Sequence, residues 1–126
     1  MPHADEHDDL DLRLLDRLLL SGHAEVFAAM AARWAADVGS RVDAVAAASP
    51  DQAPARLHEL RSLATTAGAR GLARAAAEVE QAVERGAPLT DADVDRLRGV
   101  AVAQRDAITL WWRSHGGQNV SPANRG

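Results

Sequence analysis

No cysteine occurs in this chain, so disulfides and thiolate metal sites are excluded and a reducing compartment is compatible. Tyrosine is absent as well, and three tryptophans and one phenylalanine make up the aromatic complement. The β-branched and aromatic runs from which strands are built are therefore missing. No apolar run reaches the roughly 18 residues a membrane-crossing helix needs, and charges interrupt every hydrophobic segment. A basic excess is also lacking: the net charge of −4 argues against a nucleic-acid partner, which calls for a concentrated cationic face. The start, Met1 to Asp9, is acidic and lacks the basic-then-apolar order of a signal peptide, so a cytoplasmic location is expected.

Alanine, the best helix former, makes up much of the 47% hydrophobic content, and the 126 residues suffice for one domain with a buried core. The expected fold class is all-α: an up-and-down antiparallel four-helix bundle with a short additional N-terminal helix. Residues 1–8 read as an acidic flexible tail, 9–115 as the helical domain and 116–126 as a flexible polar C-terminal tail. Asp9 is expected to cap a leucine-rich, mostly buried helix from Leu10 to Leu20, and Ser21-Gly22 to break it. A long helix from His23 to Ala48 would turn Val26, Phe27, Met30, Trp34, Val38, Val42 and Val45 inward. Ser49, with Pro50 after it and Gln52 three residues on, starts a third helix that runs to Ala67. Gly68 ends it. A fourth spans Arg70 to Arg85, with Leu72, Ala75, Ala76, Val79 and Val83 inward. Thr90 opens a fifth that should stop at His115-Gly116-Gly117, with Val94, Leu97, Ala101, Gln104, Ile108 and Trp111 as its seam.

The third helix carries the chemistry. At about 100° per residue, Pro54, Arg61, Ser62 and Thr65 fall within about 60° of His58. Ala53, Leu57, Leu60, Leu63, Ala64 and Ala67 fill the opposite arc, with Arg56 at its edge and able to snorkel outward. His58 is thus expected to face solvent from the middle of a core-packed helix. An imidazole, whose ordinary pKa is ~6.5, is mostly uncharged near pH 7 and nucleophilic through its ring nitrogen. Arg61, three residues on, can meet phosphate oxygens on the same face, and the small Ser62 leaves room for a docking partner.

His58, Leu60, Arg61 and Ser62, then Gly68-Ala69, Leu72 and Val79-Glu80, resemble without a gap the pattern of the histidine phosphotransfer (HPt) domains of phosphorelays. In that family the histidine is followed by Leu, Lys and Gly or Ser, then by Gly-Ala, a Leu and a Leu-Glu pair. Arg61 stands here for the commoner Lys and Ser62 for the commoner Gly, changes that keep the charge and the small size. The resemblance covers roughly residues 9–114. It implies that His58 accepts a phosphoryl group from a receiver-domain aspartate or a hybrid sensor kinase and relays it to a response regulator. It further implies that Arg61 stabilises the phosphate, that Gly68 and Glu80 support the site, and that the chain has no kinase activity of its own. No cofactor is expected on this chain, the assisting Mg²⁺ belonging to the receiver partner.

Each of these residues has a plainer reading beside it. His58 could be an ordinary surface histidine of an alanine-rich bundle serving as a phosphorylation-independent interaction or dimerisation module. Glu80 is either a hydrogen-bond partner near the imidazole or a solvated carboxylate. Arg70 and Arg74 would extend a positive rim or merely be exposed. His3 and His7 give only a weak hint of a metal site: Pro2 has no amide proton to give up, which spoils an N-terminal copper-type chelate through His3, and a floppy tail is expected there. A monomer is expected, and Trp111-Trp112 marks the place for a dimer contact: one ring should pack inward and the other be exposed or covered by a second copy. Pro54, Ala55, Ser62 and Thr65 are the expected partner-binding patch.

Overall fold

The structure, a computed structural model, describes the backbone of residues 9–125 and side chains through His115. The acidic segment 1–8, with His3 and His7, lies outside the described residues, as do the side chains of 116–126. Five helices follow in order: α1 (Leu12–Leu20), α2 (Ala24–Ala46), α3 (Ala53–Ala67), α4 (Arg70–Glu84) and α5 (Asp91–Arg125). No strand occurs among the described residues. Helix α2 packs against α3 and α5, α4 packs against α3 and α5, and α1 rests on α2. Between them lies one core, in which Leu57, Leu60, Leu72, Leu97, Ile108 and Val42 are fully buried.

Local chemistry accounts for most of the ends. Thr90 and Asp93 form a reciprocal box, Thr90 Oγ1 accepting from the Asp93 amide at 3.1 Å and Asp93 Oδ2 from the Thr90 amide at 3.0 Å. Ser49 and Gln52 make the same exchange, at 3.3 and 3.2 Å, but it closes a separate turn and α3 begins at Ala53 with Pro54 in its first turn. Gly68 terminates α3 with φ of +83°, its amide donating to the Ala64 and Thr65 carbonyls.

Several boundaries and faces differ from the sequence reading. Helix α1 is capped by Asp11, whose carboxylate accepts from the Leu14 amide at 3.1 Å, and not by Asp9. Asp9 and Leu10 instead form an extended strap across the α3–α4 connection. Along it the Asp11 amide donates to the Gly68 carbonyl (2.8 Å), the Gly71 amide donates to the Asp9 carbonyl (3.0 Å), and Leu10 bridges Ala69. Of the leucines of α1 only Leu15 is fully buried, against Gly68, while Leu20 is 83% exposed. In α2, Val26 and Met30 are exposed rather than inward. Each i+4 step turns about 400°, so the series 26, 30, 34, 38 drifts about 40° per step and its early members leave the buried stripe. The backbone of α5 continues helical to Arg125 through Gly116 and Gly117, which cost a helix about 1 kcal/mol each against alanine without forbidding it. Trp112, not Trp111, is the buried ring at the end of the seam.

Candidate functional site

Helix α3 buries Ala53, Leu57, Leu60 and Ala64 and thereby turns His58 outward, its side chain 57% exposed. One turn further on, an Nη2–H of Arg61 donates to His58 Nδ1 at 2.8 Å. Across from both, on α4, stands Glu80. Its side chain is 9% exposed, its Oε2 lies 3.6 Å from His58 Nδ1, and its Oε1 lies 3.6 Å from Arg61 Nη1. Neither distance is a hydrogen bond, and the buried Oε1 has no hydrogen-bond partner. The carboxylate is thus taken out of water and faces a guanidinium and an imidazole, which offset part of the cost of burying it.

The chain connection explains why these residues meet. Gly68 and Ala69 join α3 to α4, and the Leu10 strap and Leu15 clamp them from outside. His58 precedes Gly68 by ten residues and Glu80 follows Ala69 by eleven, so the two reach the same level of the adjoining helices. A Cβ at Gly68 would lie 3.3 Å from Leu15 Cδ2 as well as demanding a left-handed backbone, so the α3–α4 connection favours glycine at this position. Farther along α4, the buried Gln104 of α5 accepts from the Leu72 amide at 3.3 Å and holds the first turn of that helix.

Around His58 the expected patch lies on one face: Ala55, Ser62 and Thr65 are exposed and Pro54 is half-buried. The Thr65 hydroxyl donates to the Arg61 carbonyl at 2.9 Å, which turns it back onto its own helix. Three neighbours join the site that the sequence pattern does not single out. Arg56 Nη1 donates to Glu59 Oε1 at 2.7 Å, and Arg41, from α2, brings Nη1 to 3.9 Å from Glu59 Oε2. The Arg56 hydrogen bond, helped by the charges of Arg56, Arg41 and His58, holds the Glu59 carboxyl below its ordinary value of 4.5. The i, i+3 spacing of Arg56 and Glu59 was a readable signal, whereas nothing in the sequence places Arg41 beside them. The chain contains no lysine, so every basic side chain flanking the ring is a guanidinium.

Arg70 is engaged elsewhere, its Nη2 lying 3.3 Å from Asp11 Oδ1. Trp111 is half-buried, edge-on to Trp112 and stacked on His115 with centroids 4.4 Å apart. Among the described residues no three His, Asp or Glu side chains converge as metal ligands, and no helix is long and apolar enough to cross a membrane. Comparison with family models, with curated proteins and with solved structures returns no match. An exposed imidazole whose Nε2 has no partner among the described residues stands here beside a guanidinium that can meet an electrophile's charge and a buried carboxylate that can accept an Nδ1–H, the components a nucleophilic histidine needs.

Proposed function

We propose that this protein is a phosphoryl carrier of the histidine phosphotransfer type, accepting the group on His58 and passing it on. The observation that carries the reading is a solvent-facing histidine whose Nδ1 is met by Arg61 and approached by the buried Glu80, so that Nε2 is the ring atom without a protein partner among the described residues and becomes the nucleophile once the ring proton lies on Nδ1. The resemblance of residues 58–80 to the family pattern points the same way, and Glu80 occupies the family's supporting position. We read the four long helices as an up-and-down antiparallel bundle with α1 as an added cover. The cyclic packing of α2, α3, α4 and α5 and their short connections support that topology.

The donor in this account is a receiver-domain phospho-aspartate, with Mg²⁺ held by the receiver. His58 Nε2 attacks phosphorus in line, the bond to the aspartyl oxygen breaks, and its electron pair leaves on the carboxylate. Arg61 meets the phosphoryl oxygens, and Pro54, Ala55, Ser62 and Thr65 form the surface against which the receiver docks. The reverse step loads a second receiver. Hybrid sensor kinases and response regulators are the expected partners, the cytoplasm the expected compartment, and the chain acts as a monomeric carrier and not a kinase.

Incubation with a phosphorylated receiver domain tests this. The expected result is acid-labile, base-stable label on the wild type and none on His58→Gln. Label persisting on His58→Gln would move the acceptor elsewhere. If neither protein takes label while both bind the receiver, the chain is the phosphorylation-independent interaction module instead.

A further inference from the structure

We infer that Arg61 gates the reactivity of His58 by holding the ring in its unreactive tautomer, and that an incoming anionic phosphoryl group opens the gate by drawing Arg61 away and handing Nδ1 to Glu80. The inference rests on the phosphoryl-carrier reading and concerns which donors that site accepts. A guanidinium carries only donors, so the 2.8 Å contact from Arg61 Nη2 requires Nδ1 to present its lone pair. The proton of the neutral ring then sits on Nε2. In that form Nε2 has no lone pair to offer phosphorus, and the lone pair on Nδ1 is occupied. The resting ring is closed at both nitrogens.

Glu80 supplies the alternative. A carboxylate only accepts, so its Oε2, 3.6 Å from the same Nδ1, can bond the ring only when Nδ1 carries the proton. Arg61 and Glu80 thus compete for one atom with opposite demands. The losing partner is visible: Glu80 Oε1 is buried without a hydrogen-bond partner, and Oε2 stands beyond hydrogen-bond distance of the ring. Phosphoryl oxygens outbid a neutral imidazole for Arg61, since a hydrogen bond between two charged groups is roughly twice as strong as a neutral one. Once Arg61 turns to the anion, the ring loses the Nε2 proton to water and takes one up on Nδ1, through the half of its surface that faces solvent. Glu80 accepts that Nδ1–H. Nε2 now attacks phosphorus, the phosphorus–oxygen bond to the donor breaks, and the electron pair leaves with the donor carboxylate. The product ring carries phosphorus on Nε2 and the proton on Nδ1, its positive charge facing Glu80. Arg61 is therefore a selector for anionic phosphoryl donors over uncharged electrophiles, and Glu80 is a positioning residue.

Two readouts on the full chain separate gating from simple phosphate stabilisation. Two-bond ¹H–¹⁵N correlation spectra, taken above the ring's titration in each protein, report which nitrogen holds the proton. The wild type should show Nε2–H, and Arg61→Ala should shift toward Nδ1–H. Inorganic phosphate added to the wild type, against chloride at equal ionic strength, should shift it the same way, a result that needs no variant to fold. Diethyl pyrocarbonate, an uncharged electrophile, should then acylate His58 of Arg61→Ala faster than wild type by about two- to tenfold, the range one net hydrogen bond supports. Phosphoryl uptake from a phosphorylated receiver should fall in the same variant. Opposite signs for the two reagents are the signature. A wild-type ring already in the Nδ1–H form, or acylation unchanged or slowed in Arg61→Ala, overturns the gate even if the wild type takes phosphoryl label. Tautomer and acylation results as expected, with no label on the wild type, keep the gate and sink the carrier reading.

Discussion

His58 is exposed because four apolar residues of its own helix, Ala53, Leu57, Leu60 and Ala64, occupy the opposite face. Its surroundings follow from spacing on one side and from tertiary packing on the other. Arg61 sits one turn away and Arg56 reaches Glu59 by an i, i+3 step, so both contacts are readable in the sequence. Glu80 and Arg41 come from other helices. For Glu80 the sequence leaves a solvated carboxylate and a ring partner as equals, because register between helices decides which it is. The α3–α4 connection supplies that register and buries the side chain beside the ring. The Glu59 carboxyl gives a check on this local electrostatic picture. Its folded value lies below the ordinary 4.5, chiefly through the Arg56 hydrogen bond. The stabilisation from that contact is therefore complete above the unfolded value and is lost as pH falls through the folded one. Arg56→Ala should raise the Glu59 titration midpoint toward the ordinary carboxylate range, read from side-chain carboxyl shifts in an NMR titration. An unchanged midpoint would mean that the Arg56–Glu59 pair is not formed in solution.

Among the elements, the α3–α4 connection does most to build the site. Gly68 has a left-handed φ of +83° and lies against Leu15, so Gly68→Ala meets both backbone strain and a close contact. The left-handed conformation alone costs an L-residue about 1–2 kcal/mol, and the contact adds to it. Chemical denaturation should show at least that loss, together with weakened contact between His58 and Glu80. A variant as stable as the wild type would show that the connection relaxes freely. The helices themselves were legible through caps and apolar periodicity: the Thr90–Asp93 box and the Gly68 stop are where the pattern puts them. The N-terminal strap was not, since Asp9 reads as a cap until Gly68, Ala69 and Gly71 are seen to offer Asp9, Leu10 and Asp11 backbone partners. Val26 and Met30 turn outward for a geometric reason, as an i+4 series walks off its own stripe. Trp111 and Trp112 are adjacent, and composition alone cannot choose which of two neighbouring rings the core takes.

On the scale of the whole molecule, one core formed by α2, α3, α4 and α5 presents a single helix face bearing His58, with small residues around it and guanidiniums beside it. The receiver-docking claim belongs to this face. Ser62 is exposed, so Ser62→Trp should leave thermal stability within about 0.5 kcal/mol of wild type. Its bulk should nonetheless lower receiver affinity at least tenfold by calorimetry. Equal affinity would put the docking surface on another face. The central claim, that His58 carries a phosphoryl group between two aspartates, is tested most directly by a pulse and chase with the acceptor located by peptide mass. The protein is loaded from a phosphorylated receiver, separated from it, and mixed with a second, unphosphorylated receiver. The account predicts that the group resides on His58 after the pulse, leaves for the second receiver's aspartate in the chase, and never appears on His58→Gln, which melts like the wild type. A pulse that leaves His58 unmodified, or a loaded His58 that only hydrolyses in the presence of every receiver offered, would contradict it.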